Sequence, residues 1–257
     1  MTKVKDIISE IEKLAPLSLA ENFDNVGLML GDGEAEVKRV LLCLDADENT
    51  AKEAAAKGAD MIISHHPLIF HPLKDLCFLK SAGRCMKTLI KSDIAVYSAH
   101  TNMDIAEGGL NDLAAKKLSL KVISDLAFSE NERTCGRICE ADITLGELAD
   151  RVKESYKLPY VRYAGDEKRM IKTVAVCSGS GRGLTDDVIK RGADLYITGD
   201  LTYSDIRNLS ENGVSYIEVG HFDSEISVTE IFKGIIEKSF PDIEILISEE
   251  KNIVKTV

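Results

Sequence analysis

Four of the five histidines lie just after short apolar runs that we predict to be strands, and two of these four are followed four residues later by an acidic residue. Imidazole nitrogens and carboxylate oxygens are the ligands that bind zinc, iron, manganese and nickel in proteins. Histidines and acids at the carboxyl ends of strands would gather where open α/β sheets build their sites. The pattern therefore predicts a metal centre made from His65, His66, His100, Asp104, His221 and Glu225.

The spacing of these residues suggests more than one ion. His65 and His66 are adjacent, and neighbouring residues of an extended chain point in opposite directions, so the pair can serve two different metals. Asp104 has two carboxylate oxygens and could bridge both ions. His221 and Glu225 share one face if the chain turns into a helix after the strand, because residues i and i+4 of a helix are neighbours.

The two remaining histidines have other interpretations. His100 could orient a ligand or a bound water from outside the coordination shell, or it could move a proton. His71 precedes Pro72 and follows Phe70. We expect His71 to be an ordinary, locally hydrogen-bonded residue.

The elements that must position these side chains occur twice. Residues 38–66 and 172–200 each contain an apolar run ending near a cysteine, a polar turn, a helix-like stretch, Gly-Ala-Asp and a second apolar run. Each segment reads as a β-α-β unit, which predicts a parallel sheet and an internally duplicated α/β protein. We therefore predict a first α/β lobe with repeat one (1–120), an α+β connecting segment (121–170) and a second α/β lobe with repeat two (171–257).

Two further motifs have both a functional and a structural interpretation. The segment 178–183, Ser-Gly-Ser-Gly-Arg-Gly, could hold a phosphate with its backbone amides, but we favour a tight β-α turn that requires small residues. Asp24 lies in an Asp-Asn-x-Gly turn and could reach the site from a loop. We expect the turn itself to be the reason for Asp24.

Composition limits the partners. The net charge is −11, aromatic residues make up 5% of the chain and there is no Trp, so a nucleic-acid surface is not expected. The N-terminal stretch reads as an amphipathic helix ending at Pro16, and no stretch is long enough for a membrane span. We expect a cytoplasmic protein whose partner is a small-molecule substrate rather than nucleic acid or membrane.

The combined motifs resemble the Nif-three-like family, whose members are commonly named GTP cyclohydrolase type 2 homologues. The resemblance extends from the turn near residue 24 to Glu225, and this chain has Phe23 where the family is expected to have Trp. It implies two intertwined lobes with a metal site between them, a ring-shaped homohexamer, and two divalent metal ions per chain. The implied ligands are His65, His66, Asp104, His221 and Glu225, with His100 beside them.

Three functions fit these observations. A pair of metal ions can activate water at neutral pH and polarise the bond under attack, which favours a hydrolase acting on a substrate such as GTP, with His100 as a catalytic proton carrier. The same ligands would serve a metal-binding or regulatory protein without catalysis. A nucleotide-binding protein using residues 178–183, with purely structural metals, is the third possibility.

Overall fold

The structure, a computed structural model, describes residues 1–127 and 134–255. The chain forms two compact units. Unit 1 combines Met1–Ala106 with the C-terminal segment from Ile226 onward, and unit 2 comprises Glu107–Glu225. In the described part of the chain, no helix has both the length and the apolar character needed to cross a membrane.

Unit 1 is built on a five-stranded sheet in the order β1-β4-β3-β2-β11. The strands are β1 (Gly27–Leu30), β2 (Arg39–Asp45), β3 (Met61–His66), β4 (Ala95–Ser98) and β11 (Glu244–Ile247). All neighbouring pairs are parallel except β1 and β4. The parallel arrangement places the carboxyl ends of β2, β3 and β4 at one edge, where the histidines of unit 1 emerge.

Unit 2 is built on a six-stranded sheet in the order β5-β6-β8-β9-β10-β7. The strands are β5 (Lys121–Asp125), β6 (Arg137–Thr144), β7 (Arg162–Ala164), β8 (Met170–Ser180), β9 (Leu195–Asp200) and β10 (Ser215–Glu218). The strands β8, β9 and β10 are parallel, whereas β5, β6 and β7 join the sheet antiparallel to their neighbours. Unit 1 therefore contains four adjacent parallel strands (β11, β2, β3 and β4) and unit 2 contains three (β8, β9 and β10), and in each unit an antiparallel strand lies beside the last of them.

Helices cover the sheet of unit 1. They are α1 (Val4–Leu14), α2 (Glu48–Lys57), α3 (Ser81–Lys91), α4 (Thr101–Ile105) and α10 (Val228–Ser239), with a 3₁₀ turn at Leu17–Leu19. Asp47 caps the N-terminus of helix α2, because its carboxylate accepts hydrogen bonds from the amides of Asn49 and Thr50. The buried residues Ala54 of α2 and Leu89 of α3 pack in one apolar cluster with sheet residues such as Ile62.

The helices of unit 2 are α5 (Leu110–Lys117), α6 (Leu145–Ser155), α7 (Thr185–Lys190), α8 (Tyr203–Glu211) and α9 (His221–Glu225), with a 3₁₀ turn at Arg182–Leu184. Helix α6 begins with a Thr144 cap, completed by Glu147 as a capping box. Leu148 and Val152 of α6 are buried against Val174 and Ile197 of the sheet.

The predicted duplication is confirmed in hydrogen-bond detail. Gly58 and Gly192, which follow the helices of the two repeats, both have φ of 64°, a left-handed conformation that favours glycine. Asp60 Oδ2 accepts the amides of Lys38 and Arg39 at 2.7 and 2.8 Å. Asp194 Oδ2 accepts two amides of β8 at 2.9 and 3.0 Å. The shared Gly-Ala-Asp motif thus ties each second strand to the start of the first.

Asp194 has an additional partner. Its other oxygen, Oδ1, accepts a hydrogen bond from the Arg169 guanidinium at 3.0 Å. Burial disfavours the charged form, but the amides of Lys172 and Thr173 together with Arg169 outweigh burial and hold the pKa of Asp194 below its usual value. The Asp194 carboxylate is therefore stabilised in the folded protein.

The compact units are not divided at the positions predicted for the lobes. The final strand β11 pairs with β2, because Ile245 and Leu246 extend the apolar edge of the first sheet, and this places the C-terminal segment in unit 1. The strands β5 and β6 continue the sheet of β8, so most of 121–170 shares the compact unit of the second repeat. Residues 128–133 of that predicted segment, and residues 256–257 of the predicted second lobe, lie outside the described residues.

Candidate metal centre

Three imidazoles of unit 1 converge at the end of the parallel sheet. His65 and His66 are the last residues of β3, and His100 lies directly before α4. The ring centroids of His65 and His66 are 5.3 Å apart, and each is 5.1 or 5.5 Å from the ring of His100. One ligand atom from each ring lies within 4.8 Å of the others, so this group could hold a metal ion.

The Nδ1 atom of each of these rings faces an acceptor. His65 Nδ1 donates to the carbonyl of Ala99 at 2.9 Å, and His66 Nδ1 donates to Asp45 Oδ1 at 2.8 Å. His100 Nδ1 donates to Asp24 Oδ1 at 2.9 Å. A carbonyl or carboxylate can only accept, so the proton of each neutral ring is held on Nδ1 and Nε2 carries the lone pair that a metal needs.

Asp104 adds a carboxylate beside this group of three imidazoles. Helix α4 starts at Thr101, and the amide of Asp104 bonds the carbonyl of His100 at 3.1 Å. Asp104 is buried, and its Oδ1 lies 3.5 Å from His65 Nε2. Metal bonds of about 2.0–2.2 Å place neighbouring ligand atoms about 3.0–3.5 Å apart, so this separation matches a shared ion.

Unit 2 supplies a second pair at ligand spacing. His221 and Glu225 are the first and last residues of α9, as the i and i+4 spacing predicted. His221 Nδ1 contacts Asp200 Oδ2 at 2.8 Å, and Nε2 lies 3.1 Å from Glu225 Oε2. Glu225 is the main cause that raises the pKa of His221 to about 9; burial opposes this effect and Asp200 reinforces it.

Glycines make the space that Glu225 occupies. A Cβ on Gly179 would lie 1.9 Å from Glu225 Oε1, and the φ of Gly179 is +66°. A Cβ on Gly199 would lie 2.4 Å from the carbonyl oxygen of Gly179 and 2.9 Å from Ser224 Oγ. The carboxyl-terminal ends of β8 and β9 therefore pack directly against the helix that carries both predicted ligands of unit 2.

This packing also explains the glycine-rich segment 178–183. The amide of Ser178 donates to Asn111 Oδ1 at 2.8 Å, and the amide of Gly179 donates to Ser224 Oγ at 2.9 Å. The carbonyl of Gly181 accepts the Tyr196 hydroxyl at 2.9 Å. The structure thus favours the structural interpretation of the segment, because its small residues and first amides serve internal contacts.

The outcome for the other candidates is mixed. His71 is exposed and packs against Phe70, with ring centroids 4.7 Å apart, as expected for a residue outside the centre. Asp24 does lie in a turn, since its amide bonds the carbonyl of Glu21 at 2.9 Å. The expectation that the turn alone explains Asp24 is wrong, because its side chain also holds His100.

Sequence reasoning missed two further histidine partners, Asp45 and Asp200. Asp45 is the last residue of β2 in unit 1, and Asp200 is the last residue of β9 in unit 2. Each lies at the edge of its own sheet from which its histidine partner emerges. Since carboxyl ends of neighbouring parallel strands meet at one edge, this position is a signal that could have identified them. Asp200 also aligns with His66 in the two repeats, so the corresponding position holds a predicted ligand in the first repeat and the hydrogen-bond partner of a predicted ligand in the second.

The comparisons with known proteins agree with this architecture. The model of the family Duf34/NIF3 (NGG1p interacting factor 3) matches residues 2–253. A Clostridium perfringens protein named GTP cyclohydrolase 1 type 2 homolog is 40% identical over 253 residues, covering 96% of this chain and 97% of that protein. A Clostridium acetobutylicum protein of the same name is 39% identical over 256 residues, with 96% of each chain covered.

Solved structures are similar over the whole chain. The Bacillus cereus protein related to NIF3 has a TM-score of 0.89 and 25% identity, and the match covers 100% of this chain and 99% of that one. Reduced HcgD from Methanocaldococcus jannaschii has a TM-score of 0.85 and 30% identity, with 97% of this chain and 98% of that one covered. With the family model matching nearly every residue, the chain belongs to the Duf34/NIF3 family.

Proposed function

We propose that the protein is a metal-dependent hydrolase with two divalent ions per chain, held by His65, His66, Asp104, His221 and Glu225. The observation that carries the proposal is the group of three imidazoles in unit 1, whose ligand atoms lie within 4.8 Å of one another. Each of these rings has its Nδ1 hydrogen-bonded to an acceptor. Histidines that bind metals almost always donate their other ring N–H to a carboxylate, a carbonyl or water, as these three rings do to their acceptors.

The donor set fits divalent ions of intermediate softness. Imidazole suits Zn, Fe and Ni, and carboxylates extend the range to Mn. The chemistry that such ions supply when bound is Lewis-acid activation of water and of the substrate bond. The protein's own contribution is the orientation of the rings and the placement of the buried carboxylates of Asp104 and Glu225, which are 7% and 3% exposed.

His100 is proposed to move a proton during the reaction. Its Nδ1 is held by the buried Asp24 carboxylate, so its Nε2 is the atom able to accept a proton. The proposed substrate is a small molecule, and a nucleotide such as GTP is the first to test because the relatives are named GTP cyclohydrolase 1 type 2 homolog. Assembly into a homohexamer and a cytoplasmic location belong to the same proposal, and light scattering would test the hexamer.

Metal content and turnover should be measured on the same preparations. Mass spectrometry of protein purified without added metal should find about two ions per chain, lost in Asp104→Asn and retained in Asp142→Ala, which removes an exposed acid. Chromatography of GTP incubated with the protein should detect a product that Asp104→Asn does not form. Wild-type protein that takes up no Zn²⁺ or Mn²⁺ on titration would refute the metal centre.

The non-catalytic alternative uses the same ligands and makes a different prediction. A metal-binding or regulatory protein would retain its ions in wild type and lose them in Asp104→Asn, yet convert neither GTP nor other compounds with hydrolysable C–N or phosphate bonds. Loaded wild-type protein without turnover across those substrate classes would therefore replace the hydrolase by this second function.

A further inference from the structure

The carboxylate of Asp24 connects two parts of the predicted site. Its Oδ1 accepts His100 Nδ1–H at 2.9 Å. Its Oδ2 accepts the amide of Thr101 at 3.0 Å and the Thr101 hydroxyl at 2.5 Å. The Thr101 hydroxyl in turn accepts the amide of Glu21 at 3.0 Å. Glu21 and Asp24, both in the loop before β1, therefore hydrogen-bond to Thr101 at the start of α4.

Burial distinguishes the Asp24 carboxylate from other carboxylates that contact histidines. The Asp24 side chain is 0% exposed, whereas Asp45 and Asp200, whose carboxylates also contact histidine Nδ1 atoms, have side chains 52% and 47% exposed. A carboxylate removed from water must have its oxygens hydrogen-bonded to remain charged. Burial alone would raise its pKa, but the His100 and Thr101 hydrogen bonds outweigh burial and hold the pKa of Asp24 below its usual range.

A charged, buried acceptor determines the tautomer of its partner. While Asp24 is ionised it offers no proton, so the neutral His100 ring must carry its proton on Nδ1 and leave Nε2 unprotonated. The His100 ring lies 5.1 Å from that of His65 and 5.5 Å from that of His66, within the group that could hold an ion. Asp24 thereby determines that Nε2, rather than Nδ1, is the ring nitrogen of His100 available to that group.

The second oxygen of Asp24 acts on Asp104 through the helix. Helix α4 has only five residues, Thr101–Ile105, and so short a helix is not stable without contacts at its ends. The amide of Thr101 at its start is satisfied by Asp24. The carbonyl of His100 accepts the amides of Met103 and Asp104 at 2.8 and 3.1 Å, which makes His100 the start of the same turn.

We infer that Asp24 is a positioning residue, which selects the Nδ1–H tautomer of His100 and sets the start of the helix that carries Asp104. This inference rests on the proposed metal centre for its functional meaning. A turn residue with a purely structural role would contribute to folding, but it would change neither the His100 tautomer nor metal affinity once the protein is folded.

The test uses Asp24→Asn and Asp24→Ala in the full chain, with Asp47→Ala as the matched control. Asp47 also caps a helix start with its carboxylate, but it contacts α2 rather than a histidine. In Asp24→Asn an amide donor must face either His100 or Thr101, so one of the two contacts is lost. The variant keeps the size of the side chain and should fold if Asp24→Ala does not.

The first readout is the ¹⁵N spectrum of metal-free protein labelled at the histidine rings, with His100 assigned by a His100→Gln variant. Wild type and Asp47→Ala should show His100 protonated at Nδ1, and Asp24→Asn should show that population reduced. The second readout is Zn²⁺ affinity by calorimetry. Asp24→Asn should bind about 10–100-fold more weakly than wild type, whereas Asp47→Ala should bind within about twofold of it.

The outcomes separate this inference from the proposed function. Because Asp24→Asn can keep one of its two contacts, the positioning role would be overturned by folded Asp24→Asn in which the His100 tautomer and the Zn²⁺ affinity both equal those of a wild type that binds. Wild-type protein that binds no Zn²⁺ would instead refute the metal centre, and the ring spectra would still decide whether Asp24 selects the tautomer. A similar loss of affinity in Asp47→Ala would also overturn the inference, because general destabilisation would then explain the effect.

Discussion

Gly179→Ala tests whether Glu225 binds metal from the position seen here. The added Cβ would lie 1.9 Å from Glu225 Oε1, 2.8 Å from its Cδ and 3.5 Å from His221 Nε2. Retreat of Oε1 from 1.9 to an ordinary contact of 3.4 Å requires a shift of about 1.5 Å. Since metal bonds tolerate only about ±0.2 Å, such a shift removes the oxygen from any ion that it binds.

Gly192→Ala provides the matched control for the backbone. Gly192 has a φ of +64°, close to the +66° of Gly179, and its Cβ would meet nothing within 4 Å. Both alanines must adopt a left-handed conformation, which costs about 1–2 kcal/mol of folding free energy. The two variants should therefore lose similar stability in urea, apart from the added cost of displacing Glu225 in Gly179→Ala.

Metal binding should separate the two variants. Zn²⁺ titration by calorimetry should show Gly192→Ala close to wild type. Loss of a group that only supports a metal ligand weakens metal binding by about 10–100-fold. Gly179→Ala should weaken Zn²⁺ binding by more than this, because it displaces a predicted ligand itself. Equal Zn²⁺ affinities for the two folded variants would refute the reasoning, since Glu225 would then not bind metal from this position.

Two further predictions concern stability. Asp194→Ala removes the acceptor of two strand amides and of Arg169, and should lower the free energy of unfolding by about 1–3 kcal/mol in urea at pH 7. Because the folded pKa of Asp194 is lowered, its contribution is present above the unfolded pKa of about 3.9 and is lost as pH falls through the folded value. The difference between wild type and variant should therefore shrink on acidification, and a constant difference would contradict this origin. Arg137→Ala removes a fully buried guanidinium that bonds Asp112 at 2.6 Å, and should cost about 3–5 kcal/mol in the same assay. The exposed Arg207→Ala should cost less than about 1 kcal/mol, and equal losses for the two arginines would show that burial is not the cause.

Local patterns in the sequence determined the elements that carry the predicted ligands. The alternation of a short strand explains why His65 is fully buried and His66 only partly so. The four-residue spacing of His221 and Glu225 predicted a helix, and that helix is present. These features depend on periods of two and 3.6 residues, which are properties of the chain itself. The repeated Gly-Ala-Asp motif was readable for the same reason, since each copy makes its contacts within one β-α-β unit.

One local inference needed adjustment. The sequence placed His65 and His66 just after a strand, whereas β3 continues through both. The strand is longer because its neighbour continues to pair, with Asp45 of β2 opposite His66. The position of a strand end is decided by the partner strand, and the apolar run alone does not report it.

The tertiary structure decided how the predicted ligands are held. Asp24 and His100 are 76 residues apart, and Asp45 and His66 are 21 apart, so no local period connects either pair. The same is true of β11, which joins β2 from the far end of the chain. Whether a carboxylate meets an imidazole depends on strand order and loop path, and these are set by packing of the whole unit. The sequence by itself therefore predicted the ligand types and the elements that carry them, whereas only the folded chain determined which groups hydrogen-bond those side chains.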